Sequence, residues 1–184
     1  MSSYLSDLPT AEWLTGLATF LLVLVTGIAF FIQSRQNRFA LSIDLLLKLE
    51  DRFDEQRMQA SRGKASTFLR GQQGLDDPSP DWEHHLDAVL DFFDLVGHLL
   101  RKGALQKTAV WSVFFYSVHG WYCNAKDHIT LERERDSTVW EDLVYLHSEL
   151  VITQKRQLGC EDHHPSLALK KGDLIAFLEE ENAN

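Results

Sequence analysis

The sequence is poor in the residues that build disulfide scaffolds and β-rich folds. It contains two cysteines, Cys123 and Cys160, and four prolines in 184 residues. Two isolated cysteines are too few for a disulfide framework, so we interpret both as reduced thiols. The sequence also lacks alternating strand patterns, internal repeats and low-complexity tracts. These absences favour an all-α fold.

Signatures of common catalytic and cofactor sites are missing too. The sequence has no phosphate-binding loop, dinucleotide fingerprint, zinc-finger spacing or nucleophile elbow. We therefore expect no cofactor, and the sequence favours a protein without enzymatic activity. A formal net charge of −9 argues against nucleic acid as a partner, because phosphate binding requires a basic surface.

The N-terminal region has no lysine or arginine, and it contains the longest apolar run of the chain. No charged residue interrupts Trp13 to Gln33, whereas all 18 Lys and Arg lie at Arg35 or beyond. About 20 residues at a rise of ~1.5 Å each match the ~30 Å hydrocarbon core of a bilayer. The sequence therefore predicts a transmembrane helix over residues 13–34, preceded by a short extracytoplasmic overhang, residues 1–12.

The charges that flank this helix predict its orientation. Arg35 and Arg38 follow it directly, and basic residues beside a membrane helix are retained on the cytoplasmic side. We expect a single-pass protein of the cytoplasmic (inner) membrane, with its N-terminus outside and its C-terminal domain in the cytoplasm. A cleaved signal peptide is the competing interpretation, but its apolar segment is only ~7–15 residues long and follows a basic stretch.

Small residues form a candidate contact face on the predicted membrane helix. Gly16 and Gly27 are eleven residues apart, about three turns, and therefore share a face, with Thr19 among the other small residues of the helix. We expect this surface to bind another membrane subunit or a second copy of the chain. Simple exposure to lipid is the alternative.

Helical periodicity continues through the rest of the chain. The first helix is expected to run on to Phe53, followed by a bend between Asp54 and Gly63 and a short helix at Lys64–Leu69. We expect residues 35–159 to form a cytoplasmic bundle of about four helices, and residues 160–184 to form a tail. The remaining predicted elements are a loop at Gly71–Asp81, helices at Asp81–Lys102, Leu105–Ile129 and Thr138–Leu158, and a short, loosely docked amphipathic helix at Asp173–Glu180.

Charge is distributed unevenly along this domain. Residues 35–72 contain eight basic and five acidic side chains, whereas residues 73–100 contain seven acidic and no basic ones. Arg35 and Arg38 are therefore expected to contact anionic lipid headgroups. Asp76, Asp77 and Asp81 are the candidate contacts for a basic partner, and an ordinary polarised domain is the alternative.

The sharpest candidate for chemistry is a stripe of metal-ligating residue types on the helix Asp81–Lys102. Its members lie three or four residues apart and so share one helix face: His84, Asp87, Asp91, Asp94 and His98. Carboxylates and imidazoles on facing helices hold metals in helical bundles. We favour the simpler interpretation, a solvated face of an amphipathic helix, since no E-x-x-H motif is present.

Further potential ligands occur on the next two helices. His119 and Cys123 are four residues apart, and His147 and Glu141 come from the helix after that. His119 also lies within one turn of Cys123 as a possible base for a nucleophilic thiol. A small buried thiol among aromatic residues is the simpler interpretation of Cys123.

Several core motifs resemble those of a family of small bacterial proteins of unknown function. The motifs are Leu90–Gly97 (LDFFDLVG), Gly103, Val110–Trp111, Phe114 and Trp121–Tyr122. The resemblance covers about residues 13–155 and not the tail after Cys160. It implies one N-terminal membrane helix followed by a helical cytoplasmic domain, and it implies no activity.

Two functional hypotheses follow. The first is a membrane-tethered, non-enzymatic interaction protein, either an accessory subunit of a larger membrane complex or a homo-oligomeric signalling or defence component. The alternative is a membrane-tethered, metal-dependent enzyme that uses the stripe from His84 to His98. The expected partners are the lipid bilayer and other membrane subunits or further copies of the chain.

Overall fold

The computed structural model describes residues 8–72, 82–159 and 171–183, and every helix or strand in these ranges is an α-helix. This confirms the all-α fold class. The helices are α1 (Leu8–Asp54), α2 (Gln56–Gln72), α3 (Trp82–Arg101), α4 (Lys107–Asn124), α5 (Lys126–Arg135), α6 (Glu141–Leu158) and α7 (Lys171–Ala183).

Helix α1 contains both the apolar run and the first core residues of the bundle. It continues past the run to Asp54, as the periodicity predicts. The chain divides into two compact units between Leu41 and Ser42. In the second unit, α1 buries Leu46, Leu49 and Phe53, which are three and four residues apart and thus share one face.

The core of the second unit is centred on α3, which buries one apolar face. Leu86, Val89 and Leu90 are fully buried, as are Phe93 and Val96. The phenyl rings of Phe53, Phe92, Phe93 and Phe114 join α1, α3 and α4, with ring centroids 5.2–6.3 Å apart. Such tilted and edge-on aromatic pairs are favourable beyond the area that they bury.

The second and fourth predicted helices differ from those observed. The bend falls at Glu55, and α2 starts at Gln56, so Gly63 lies inside a helix that is longer than predicted. The segment Leu105–Ile129 is not one helix, because the helix is interrupted at the fully buried Ala125. This break starts a separate helix, α5, which also contains the charged segment Glu132–Arg135.

Helix α6 begins three residues later than predicted. Asp136 accepts hydrogen bonds from the backbone N–H and the hydroxyl of Thr138, at 2.9 and 2.7 Å, and so stabilises a turn rather than a helix start. Trp140 then adopts a left-handed backbone conformation (φ 49°), and the helix starts at Glu141. Its end at Gly159 is confirmed, where a φ of 62° favours glycine.

The C-terminal helix α7 is firmly docked, so the prediction of loose docking is wrong. Phe177 and Leu178 are fully buried, and the ring of Phe177 packs edge-on against Trp121 with centroids 5.8 Å apart. Arg62 of α2 and Glu181 of α7 form a buried ion pair with a nitrogen-to-oxygen distance of 3.2 Å. The tail therefore completes the core.

Candidate functional site

The N-terminal part of α1 presents an apolar surface that the described residues leave uncovered. No described side chain from Thr15 to Leu41 is buried, and Phe20, Phe30 and Phe31 are each more than 60% exposed. This helix is long and apolar enough to cross a membrane, and its most apolar stretch is 0% buried. A water-exposed surface of this kind is unfavourable, since each Å² of apolar area costs about 25 cal/mol.

The small residues of α1 leave space for another helix. A Cβ atom built on Gly16 or Gly27 would meet no other atom within 4 Å. The Thr19 hydroxyl donates a hydrogen bond to the carbonyl of Thr15 at 2.8 Å. This internal hydrogen bond satisfies the Thr19 donor within the helix, as an apolar environment requires.

The predicted charged contacts are only partly within the described residues. Arg35 and Arg38 lie on α1 directly after the apolar run, and both are exposed. Asp76, Asp77 and Asp81 lie outside the described residues, together with most of the predicted loop. The contact of these three acidic residues with a basic partner therefore stays a prediction.

The stripe on α3 forms a polar seam with α5 and α6. Asp87 contacts Nε2 of His128 at 3.1 Å, Asp91 accepts the indole N–H of Trp140 at 2.9 Å, and His98 contacts Asp142 at 2.8 Å. The first member, His84, is exposed. With Asp94, four of the five members thus contact α5, α6 or the residue before α6, so this face packs against its neighbours.

Asp94 has a defined structural role within this seam. Its carboxylate accepts the backbone N–H of Leu143 at 2.9 Å, in the first turn of α6. Trp140, at the N-cap position, provides no side-chain hydrogen bond, so Asp94 caps α6 from the neighbouring helix. Burial raises the pKa of Asp94, and the hydrogen bond from Leu143 opposes this effect.

A second group of potential ligands converges between α4 and α6. Nδ1 of His119 lies 2.9 Å from Nε2 of His147 and 3.8 Å from Sγ of Cys123. We call these three residues the His–Cys cluster. Their potential ligand atoms all lie within 4.8 Å of one another. Among the described residues, this is the group of His, Cys, Asp and Glu side chains that could hold a metal ion.

Aromatic rings hold the two imidazoles of the His–Cys cluster in place. Phe115 is stacked on His119, and Tyr122 is stacked on His147 with centroids 3.9 Å apart. The two imidazoles are nearly parallel, with centroids 5.1 Å apart. Their orientations are therefore determined by packing as well as by the hydrogen bond between them.

Burial also determines the protonation of the His–Cys cluster. Desolvation, with a smaller effect from His119, lowers the pKa of His147 to about 4, so this imidazole is neutral at pH 7. Burial raises the pKa of the Cys123 thiol, against a smaller opposing effect of Lys126. The cluster thus combines a neutral His147 imidazole with a protonated Cys123 thiol, which differs from the thiolate of an activated nucleophile.

Sequence spacing identifies only part of this cluster. The four-residue separation of His119 and Cys123 on one helix is evident, and His147 is a candidate from a later helix. Glu141, the other candidate from α6, instead forms an ion pair with Arg101 at 2.8 Å. The selection between these two residues depends on how α6 packs against α3 and α4.

Open clefts also lie elsewhere on the described part of the bundle. One of about 430 Å³ has Glu50, Asp54 and Arg62 among its lining residues. Another, of about 350 Å³, has Arg52 and Asp91 among its lining residues. Neither cleft includes a residue of the His–Cys cluster, so neither provides a substrate pocket for it.

Comparison with known proteins agrees with the resemblance seen in the sequence. A family model described as "Domain of unknown function (DUF4760)" matches residues 14–150. This confirms an uncharacterised family, while its bacterial origin stays a prediction. No curated protein and no solved structure matches the chain.

Proposed function

Because the chain belongs to the family described as a domain of unknown function (DUF4760), we propose its function from the surfaces of the molecule itself. We propose a single-pass, membrane-tethered interaction protein without enzymatic activity. It serves as an accessory subunit of a larger membrane complex or as a homo-oligomer in signalling or defence. The observation that carries this proposal is the uncovered apolar surface of α1.

Retention of the N-terminal helix distinguishes an anchor from a cleaved signal sequence. An anchor stays in the mature protein, so the intact mass from the membrane fraction is expected to be that of the full chain, 21.1 kDa. The protein is also expected to resist extraction by carbonate and to require detergent. A mature protein that lacks the apolar run, or one found in the soluble fraction, would contradict the proposal.

The orientation follows from Arg35 and Arg38 and places the helical domain in the cytoplasm. It is tested in a chain whose two cysteines are replaced by serine, with one new cysteine at a time. Ser137→Cys, at an exposed position, is expected to react with an impermeant thiol reagent only after the cells are permeabilised. Ser3→Cys is expected to react in intact cells, and the reverse pattern would disprove this orientation.

The association surface contains Gly16, Thr19 and Gly27. A Gly16→Leu and Gly27→Leu double variant is expected to lose self-association or co-purification with its partner, because the added side chains separate the helices. Ala18→Leu with Ala29→Leu is the matched control: these alanines are also exposed and eleven residues apart, but they lie on the opposite face. Native mass spectrometry after mild detergent extraction distinguishes identical copies from other subunits. Equal behaviour of the two double variants would rule out this surface.

A further inference from the structure

We propose that the His–Cys cluster is a zinc-binding site that connects α4 to α6. His119 provides Nδ1, His147 provides Nε2 and Cys123 provides its thiolate. This site is independent of the membrane-tethered role proposed above, because none of its three ligands lies on α1 or in the stripe on α3.

Two of the three distances between the ligand atoms are close to those of a tetrahedral zinc site. Zinc bonds of about 2.0–2.1 Å to nitrogen and 2.3 Å to sulfur separate the ligands by ~3.4 Å (nitrogen to nitrogen) and ~3.6 Å (nitrogen to sulfur). The observed separations from Nδ1 of His119 are 2.9 Å to Nε2 of His147 and 3.8 Å to Sγ of Cys123. Zinc binding therefore requires the two imidazole nitrogens to move apart by about half an ångström, and it requires Nε2 of His147 and Sγ of Cys123, which lie within 4.8 Å of each other, to reach ~3.6 Å.

The ligand types select zinc over the common hard cations. Two imidazoles and one thiolate suit zinc, whereas calcium and magnesium require oxygen ligands that the cluster lacks. Zinc binding replaces the Cys123 S–H bond with a sulfur–zinc bond and releases the proton to solvent.

The three ligands leave one position of the tetrahedron open. His119 is buried, whereas Cys123 and His147 are half-buried, so the cluster is accessible from solvent on one side. A water molecule is expected to fill the fourth position, as in zinc sites with three protein ligands. The stacked rings of Phe115 and Tyr122 hold the imidazoles in position, which lowers the cost of organising the site.

The test uses the full chain in detergent, purified with a tag that contains no histidine. Because the tail has further potential ligands, the reference protein carries Cys160→Ser, His163→Gln and His164→Gln. This reference protein is stripped with a chelator and titrated with Zn²⁺ against a chromogenic competitor. One equivalent is expected to bind, and saturating Zn²⁺ is expected to raise Tm by about 5–10 °C, since metal binding stabilises the folded state.

Single substitutions of the ligands are then compared with a matched histidine control. Loss of outer-shell partners alone costs ~10–100-fold in metal affinity, so Cys123→Ser and His147→Gln are each expected to weaken binding more than ~100-fold. His84→Gln changes an exposed histidine outside the cluster and is expected to leave affinity unchanged. Circular dichroism and the metal-free Tm establish that each variant is folded.

Cobalt provides a direct readout of the proposed ligands. Co²⁺ bound to the reference protein is expected to give a near-ultraviolet thiolate-to-metal charge-transfer band, which Cys123→Ser removes while His84→Gln keeps it. Absence of stoichiometric Zn²⁺ binding, or equal affinity in the reference protein and the folded ligand variants, would overturn the proposal. Selective copper binding without zinc would also overturn it.

Discussion

Gly97 is a residue at which α3 packs directly against the backbone of α6. A Cβ atom at this position would lie 2.1 Å from the carbonyl oxygen of Asp142 and 3.1 Å from Cβ of Leu146. The first of these neighbours is backbone and cannot turn aside as a flexible side chain does. The pairing of the two helices therefore depends on the missing side chain.

Substitution of Gly97 is expected to force the two helices apart. Gly97→Ala should lower the free energy of unfolding by about 3 kcal/mol, as overpacking in a dense core does. Gly63→Ala is the matched control, since its Cβ would lie 3.9 Å from the nearest atom, the carbonyl oxygen of Glu181. That variant should be neutral or more stable by about 0.5–1 kcal/mol, because alanine favours the helix. Urea unfolding measures both, and equal values for the two variants would disprove the close approach at Gly97.

Asp94 is the residue of the stripe that binds the backbone of α6. Because its carboxylate caps α6 from α3, Asp94→Ala should cost about 1–2 kcal/mol of stability, as does the loss of an N-cap. Asp94→Asn keeps an oxygen acceptor and should stay within about 0.5 kcal/mol of the original protein. Thermal unfolding compares the two variants. A loss as large for asparagine as for alanine would mean that the charge, rather than the hydrogen bond, is required.

At the scale of elements, α7 packs into the core of the bundle through Phe177 and Leu178. Gly120 of α4 lies against the ring of Phe177, so close that a Cβ atom on it would be 2.6 Å from a ring carbon. The ion pair between Arg62 and Glu181 lies beside this contact, with both side chains less than 10% exposed. The guanidinium of Arg62 also lies 4.1 Å from the ring centroid of Phe53. Helix α7 thus contacts α2 and α4 through both apolar and charged groups.

Removal of Arg62 is expected to weaken the docking of α7. Arg62→Ala leaves the Glu181 carboxylate buried without its cation, and breaking a buried pair in this way costs about 3–5 kcal/mol. Substitution of both partners, Arg62→Met with Glu181→Leu, should recover most of this loss, because no buried charge remains. Hydrogen exchange of the α7 amides measures the docking. A double variant that is no better docked than Arg62→Ala would contradict this explanation.

The same ion pair predicts a pH dependence in the Arg62→Ala variant. Burial raises the pKa of Glu181 above its ordinary value of 4.5, and Arg62 opposes this increase. A raised pKa in the folded state favours folding most at low pH, and this contribution is lost as pH rises through the folded-state pKa. The loss of stability caused by Arg62→Ala should therefore be smallest near pH 4.5 and grow toward pH 7. Denaturant unfolding across this range tests the sign.

At the scale of the whole molecule, the bundle begins within α1. All buried apolar residues in the described part of the chain lie at Leu46 or later, and the second compact unit begins at Ser42. The hydroxyl of Ser42 accepts the backbone N–H of Gln106, at the start of α4, with a distance of 3.0 Å. The helical domain therefore requires the last third of α1 but none of the apolar run.

Truncation at two positions tests this division. A chain that begins at Ser42 should be soluble without detergent and cooperatively folded, because it keeps every described core residue. A chain that begins at Glu50 lacks the buried Leu46 and Leu49, each worth about 2–5 kcal/mol by comparison with leucine-to-alanine substitutions, and should not fold stably. Circular dichroism and thermal unfolding measure both. Equal stability of the two chains would show that α1 is not part of the core.

The sequence alone determined the features that depend on local pattern: the all-helical class, the long apolar first helix, the bounds of α3 within one residue and the end of α6 at Gly159. Periodicity and end signals act within one helix, so spacing is enough to identify them. Tertiary structure decided which polar groups meet. Asp91 binds the indole of Trp140, Asp94 caps α6, Ala125 interrupts a predicted helix, and His119 contacts His147 because α4 and α6 pack together. Such contacts join residues more than 25 positions apart, and no local spacing contains that information.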